Sequence, residues 1–448
     1  MAERYVLLGL AQARADWFRT IGAWATSAML PCEFVRCVSI DELRARLRSG
    51  RAFSAVVVDG SLPGVDRDLI ALAAETSVSV LVIDEQERRD WRELGASAVM
   101  ASRFSRDELL EVLAATSVPV GSATYDATPI DAGAREARGR LVAVTGPGGT
   151  GASTVAIALA QGLAAGDGEL GRRRSSARRH VGIRPPEVLL ADLCRTADQA
   201  MLHDARVVVP SIQEVVEAHR TATPPRSSLL DQTFEVPARG YRLLLGLRRP
   251  RHWVALRPRA LESTLDSLQR LADVVVADID PDLEGESETG STDVEERNLL
   301  ARATVARADL VVVVGEPSMK GLFALVRTID GVVEFGVRAD RVLPVFNHAP
   351  RGPRARAELT RAVSELLSTS LGTLVSGLVS PLYVTDRPVD DALRDGVALP
   401  GSMARMLARG VAAVVDRAGP AERPDAGGPE RIVPGSLSAF TTQEHPNP

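Results

Sequence analysis

The residues with the clearest chemical potential lie in one stretch, 141–164, LVAVTGPGGTGASTVAIALAQGLA. An apolar run enters a glycine-rich loop and leaves it as an alanine-rich run. This is the strand–loop–helix order that a phosphate-binding loop requires. Gly148, Gly149 and Gly151 let backbone N–H groups approach phosphate oxygens, and a helix starting near Ser153 adds its dipole. Ser153 or Thr154 offers a hydroxyl to Mg²⁺. The ligand class is a phosphate-bearing molecule, with Mg²⁺. The chain contains a single lysine, Lys320, so any chemistry that needs a lysine has one candidate. A lysine held against two phosphates contributes about 1.5–3 kcal/mol, and its loss weakens binding by about one to two decades. Phosphoryl transfer suffers more, because charge develops at the transferring group. An arginine from the run Arg172, Arg173 and Arg174 is one candidate substitute. Two readings stay open: a weak nucleotide site, and a scaffold whose glycines serve only the turn.

Other residues could join this chemistry or stand apart from it. Asp192 and Asp278 each close an apolar run, VLLADLC and DVVVADID. Asp59 closes a third, SAVVVDGSLPG, where a lone carboxylate could accept a phosphoryl group or cap a turn. The first apolar run ends Leu8-Gly9-Leu10 with no acid to help hold a metal, which favours the turn. Cys32, Cys37 and Cys194 fit no zinc spacing and no even disulfide framework. The six histidines show no paired-ligand spacing.

Positioning these residues takes two α/β units. Residues 1–116 alternate expected strands at 5–10, 33–38, 55–58, 78–83 and 98–100 with helices at 13–28, 41–48 (capped by Ser39 or Asp41) and 107–115. Residues 117–139 lack apolar periodicity and read as a linker. Residues 140–417 resume the alternation, with strands at 141–145, 188–191, 241–245, 274–277, 310–314 and 342–346 and helices at 153–164, 261–272, 321–332, 355–367 and 402–415. Such alternation implies parallel sheets covered on both faces. A basic insertion spans 166–186 and an acidic one 280–297, and the polar, Pro/Gly-rich tail 418–448 reads as disordered.

Composition bounds the rest. A chain of 448 residues fits about two to three domains. Its net charge of −5 argues against a whole-protein nucleic-acid field, and 4% aromatic residues argue against a single-strand stacking surface. The cysteine usage, and an amino-terminal run too short and too soon charged for a leader, imply a cytoplasmic protein. The arginines of GRRRSSARRH at 171–180 could touch anionic lipid or simply form a solvated loop.

The loop GPGGTGAST resembles that of MinD/ParA-type ATPases, whose pattern is K-G-G-x-G-K-[ST]-T. Gly148, Gly149, Gly151, Ser153 and Thr154 match, while Pro147 and Ala152 replace the two lysines. Asp192 is similar to the first aspartate of the family's D-x-D, with Cys194 in place of the second, and Asp278 resembles the metal-side aspartate of its later strand. The resemblance implies that residues 148–154 cradle phosphate, that Ser153 and Asp278 hold Mg²⁺, and that Asn347 and Asp386 lie at the base. If the site is active, Asp192 and Asp278 carry catalysis in a slow ATPase. Residues 1–116 resemble a response-regulator receiver whose phosphoacceptor survives as Asp59 without its acidic pair, a pseudo-receiver. A pseudo-receiver joined to a MinD/ParA-like unit resembles CpaE/TadZ-type localisation proteins and septum-site-determining Ssd proteins, the A-S-T loop being most similar to the latter. This implies a homodimer that works with protein partners of cell division or of a Tad pilus machine, recruited to septum, pole or inner membrane surface.

Overall fold

The computed structural model describes residues 5–12, 15–26, 29–86, 89–120, 138–167, 186–371, 377–385 and 389–418. Most of the linker, the 171–180 arginine run, Asp386 and all but the first residue of the 418–448 tail lie outside the described residues.

The first sheet comprises β1 (Tyr5–Leu10), β2 (Cys32–Arg36), β3 (Ala55–Asp59), β4 (Ser79–Ile83) and β5 (Ala98–Met100), ordered β2-β1-β3-β4-β5. Every pairing is parallel, which is the flavodoxin-like order. Its β-branched runs are buried on both faces: Val56 and Val58 belong to one apolar cluster, Ala55 and Val57 to the other. The covering helices are α1 (Asp16–Thr26), α2 (Ile40–Leu47), α3 (Arg67–Glu75) and α4 (Arg106–Thr116). Ser39 caps α2, and a Ser105–Glu108 capping box starts α4. The sequence reading assigned no helix at α3, which Asp66 caps through Leu69 N–H at 3.1 Å.

The second sheet holds eight strands: β6 (Arg140–Thr145), β7 (Val188–Leu193), β8 (Phe234–Val236), β9 (Tyr241–Leu244), β10 (Val274–Ile279), β11 (Leu310–Gly315), β12 (Val342–Phe346) and β13 (Leu382–Tyr383). Their order is β13-β12-β11-β6-β10-β7-β9-β8, parallel except for the β8–β9 pair. The helices are α5 (Ala152–Ala164), α6 (Gln199–Leu202), α7 (Ile212–His219), α8 (Arg226–Asp231), α9 (Pro258–Leu271), α10 (Glu286–Thr289), α11 (Thr292–Arg297), α12 (Leu299–Val305), α13 (Met319–Glu334), α14 (Pro353–Leu371), α15 (Asp390–Arg394) and α16 (Gly401–Ala418). The sequence reading missed the short edge strands β8 and β13 and treated 280–297 as an insertion without elements. That segment folds as α10 and α11, with Asp282 paired to Arg297 at 3.1 Å and Glu288 and Glu295 within 3.8 Å of Arg302. Helix α5 is apolar on nearly every side because the sheet covers one side and α16 another. Gly162 permits the crossing, since a Cβ there would lie 2.2 Å from the Ala404 carbonyl oxygen. Helix α16 is thus a packed core element, as expected for 402–415.

Helix α3 docks the first sheet's unit onto α7 and α9. Asp66 has no exposed surface and accepts from Arg220 Nε and Nη2 at 3.1 and 2.8 Å. Arg67 N–H donates to the Arg220 carbonyl at 3.0 Å, and its Nε to the His219 carbonyl at 3.2 Å. Arg259 N–H donates to Asp68 at 3.0 Å, and the Arg259 guanidinium pairs with Glu75. Removing one partner of a buried pair leaves the other desolvated. Arg220→Ala is therefore expected to lower unfolding stability by about 2–4 kcal/mol, read as a lower urea midpoint. Arg354→Ala, in an exposed pair with Glu358, is the control and should change stability by less than about 0.5 kcal/mol.

Candidate functional site

The glycine-rich loop leaves the carboxyl end of β6, between β10 on one side and β11 on the other, where open parallel sheets gather ligands. Two backbone conformations demand glycine: Gly149 has φ +85° and Gly151 φ +83°. At Gly151 a Cβ would also lie 2.4 Å from Asn347 Nδ2. Gly148 is different. Its φ is unexceptional and a Cβ there would meet no protein atom, so packing does not explain it. A bare backbone facing open space suits a close-approaching anion. Thr150 ties the loop to itself by donating its hydroxyl to the Pro147 carbonyl at 2.8 Å. Asn347, expected at a base, donates Nδ2 to the Thr150 carbonyl at 3.0 Å and accepts His348 N–H at 3.0 Å. Its amide braces the loop.

Beneath the loop, parallel register sets Asp278 of β10 directly beside Asp192 of β7. Both are buried, at 1% and 0% exposure. Gly246 makes the room, because a Cβ there would lie 2.7 Å from the Asp192 carboxylate carbon. Asp192 accepts Cys194 N–H at 3.2 Å and Gln199 N–H at 3.0 Å. Asp278 accepts Gln199 Nε2 at 2.7 Å and the Ser153 hydroxyl. Asp192, Cys194 and Asp278 present ligand atoms that all lie within 4.8 Å of one another, the one such cluster among the described residues. The sequence reading brought Ser153, Asp192 and Asp278 together but missed Gln199, which carries no motif. Cys194, which fits no zinc spacing in the sequence and stands where the resemblance has an aspartate, joins the two aspartates through the pairing of β7 with β10.

Charge is the outstanding feature. Burial raises the Asp192 carboxyl well above the usual range, helped by the neighbouring Asp278. Burial also pushes Asp278 up to about 6, although the Gln199 and Ser153 hydrogen bonds oppose it. The Cys194 thiol is raised by burial and then by Asp278 and Asp192. Beside the loop, a cleft of about 730 Å³ includes Pro147 and Gly148 in its wall; Asp282, Glu284, Glu288, Asp330 and Glu334 line it with Arg327 as the basic residue. The backbone therefore fits a phosphate chain, and Ser153 with Asp278 offers Mg²⁺ oxygen ligands, but no cation stands against the phosphates themselves. Ala152 supplies no cation, and the approach is acidic.

In the first sheet's unit, Asp59 accepts Ser61 N–H at 3.0 Å and the Ser61 hydroxyl. This is a side-chain-capped turn. Gln12, just beyond β1, donates to Ser61 Oγ at 3.0 Å, and Asp84 accepts Trp91 Nε1 at 2.7 Å.

Fold and loop together define an α/β protein of P-loop architecture joined to a flavodoxin-like unit. No family model matches the sequence, and no match is found among curated proteins. Solved structures similar to the chain include a ParA family ATPase from Chlorobium tepidum (14% identity, TM-score 0.41, covering 63% of this chain and 98% of that one). Another is the cell division ATPase MinD from Pyrococcus furiosus (16%, 0.40, 63% and 100%). A third is the septum site-determining protein MinD with Mg-ADP from Pyrococcus horikoshii (17%, 0.38, 62% and 94%).

An acid whose pKa is raised by folding contributes stability below its unfolded value, 3.8 for Asp278, and loses that contribution as pH climbs through about 6. With divalent ions chelated, Asp278→Asn is expected to match wild type near pH 4 and to be the more stable of the two above pH 7. Urea unfolding at the two pH values checks this. A pH-independent difference would contradict it.

Proposed function

We propose that this protein is a non-hydrolysing scaffold on a MinD/ParA-like fold, a spatial regulator that places a septum by dimerising and recruiting division proteins. The carrying observation is electrostatic. The phosphate loop has its backbone conformation but Ala152 behind it and an acidic cleft beside it. Protein recognition has material at the same end of the sheet. Met319 and Phe323 lie one turn apart at the start of α13, 82% and 60% exposed, just after β11. The flavodoxin-like unit serves as a pseudo-receiver, an interaction module in which Asp59 caps a turn. The septum assignment itself rests on the resemblance of the A-S-T loop.

A second reading is favoured by Gly148, which packing leaves unexplained. Here the chain is a CpaE/TadZ-like polar localisation factor for Tad pilus assembly, and a slow ATPase switch uses Ser153, Asp192 and Asp278 on ATP with Mg²⁺. Restoring the missing cation separates the two. On the scaffold reading, Ala152→Lys raises affinity for Mg·ATP by about ten- to a hundredfold over a wild type that binds no tighter than millimolar. Competition against a fluorescent nucleotide reads it. Wild-type micromolar affinity, unchanged by Ala152→Lys, would favour the switch.

A further inference from the structure

The buried cluster under the loop has the donor chemistry of a different ion from magnesium. Magnesium takes oxygen ligands in a near-ideal octahedron and keeps several waters. Here one donor is a thiol, and thiolate sulfur selects softer cations. We propose that Asp192, Cys194 and Asp278 form a site for a thiophilic divalent cation, Zn²⁺ in the first instance, with a bound water held by Gln199. This goes beyond the scaffold reading and needs no nucleotide.

The geometry supports it in four ways. The three donor atoms lie within 4.8 Å of one another. Around a tetrahedral zinc with one sulfur and two oxygen ligands they would be about 3.3–3.5 Å apart, so side-chain rotation closes the site without moving the strands. The orienting contacts exist already: backbone N–H groups of Cys194 and Gln199 hold the Asp192 carboxylate, and Gln199 Nε2 and the Ser153 hydroxyl hold that of Asp278. The Gln199 side chain is fully buried, and its Oε1 has no hydrogen-bond partner although its own Nε2 touches Asp278. A buried acceptor left without a donor calls for one, and a water on the proposed ion would supply it. Finally, Cys194 retains 9% exposure, and Asp198 and Asp280 stand close enough to act on it, so the entrance draws cations. Binding takes the carboxylates and the thiol in their ionised forms. The resulting charge set is one dication against two carboxylates and a thiolate.

Cobalt is the probe, because a Co²⁺–thiolate bond gives near-ultraviolet charge-transfer absorption that carboxylates do not. Chelator-stripped full-length protein titrated with Co²⁺ is expected to show that band, saturating at one ion per chain, displaced by Zn²⁺ and indifferent to excess Mg²⁺. Cys194→Ser should abolish it, whereas a Cys32→Ser/Cys37→Ser variant should keep it. Asp278→Asn should weaken affinity by at least about tenfold. Zn²⁺ should raise the melting temperature of the wild type and not that of Cys194→Ser. If Cys194→Ser does not fold, the Cys32/Cys37 variant still decides, since loss of the band there assigns it to the other cysteines and overturns the proposal. No band in folded wild type, or a band retained by folded Cys194→Ser, also overturns it. These outcomes do not depend on how Ala152→Lys changes nucleotide affinity, so the two readings fail separately.

Discussion

The central constraint is the register of β10 between β6 and β7. It sets Asp278 level with Asp192 and level with the end of β6, where the glycine loop begins. Two carboxylates taken out of water side by side cannot both stay ionised without a cation. In a loop with a lysine at 152, that cation would have come from the loop itself. Here Ala152 leaves the pair to be managed by hydrogen bonds from Gln199, Ser153 and backbone N–H groups, and by protons that burial retains. The same feature sets the loop's chemistry. A cradle shaped for phosphate sits above acids instead of above a positive charge.

The surrounding structure holds this arrangement stiff. Asn347 braces the loop from β12, Gly246 lets Asp192 approach, and α5 is clamped between the sheet and α16. The flavodoxin-like unit is tied in through the Asp66–Arg220 pair and the Arg67 and Arg259 contacts. Its α3 face is therefore occupied within the chain, and α1, α2 and α4 are the helices left to meet other molecules.

Much of this was legible in the sequence, and the reasons are local. Long β-branched runs such as DVVVAD and LVVVV could only be strands buried on both faces, and glycine followed by A-S-T marked the loop and the start of α5. For Asp59 the missing acid near Leu10 favoured a turn cap over a phosphoacceptor, and its carboxylate accepts from Ser61. Helix α3 was missed although it carries a local signal, an Asp66 cap followed by Leu69, Ile70 and Ala73 at helical spacing against its own sheet. Helices α10 and α11 were not legible, because their acidic composition suggests a solvated loop until Arg297 and Arg302 are seen to neutralise it. Gln199 and the Cys194 donor emerge only when β7 and β10 are laid side by side, which is a tertiary fact. Asn347 was expected at a base, and its contact with the Thr150 carbonyl comes from packing of β12 against the loop, which the sequence does not display.

The central claim is that a phosphate loop without its cation does no phosphoryl transfer. The most direct measurement is phosphate release from Mg·ATP by purified full-length protein, compared with Asp278→Ala prepared in the same way. The account predicts that the two rates coincide at the uncatalysed background. Turnover by the wild type, lost in Asp278→Ala, would contradict it and establish the chain as an enzyme.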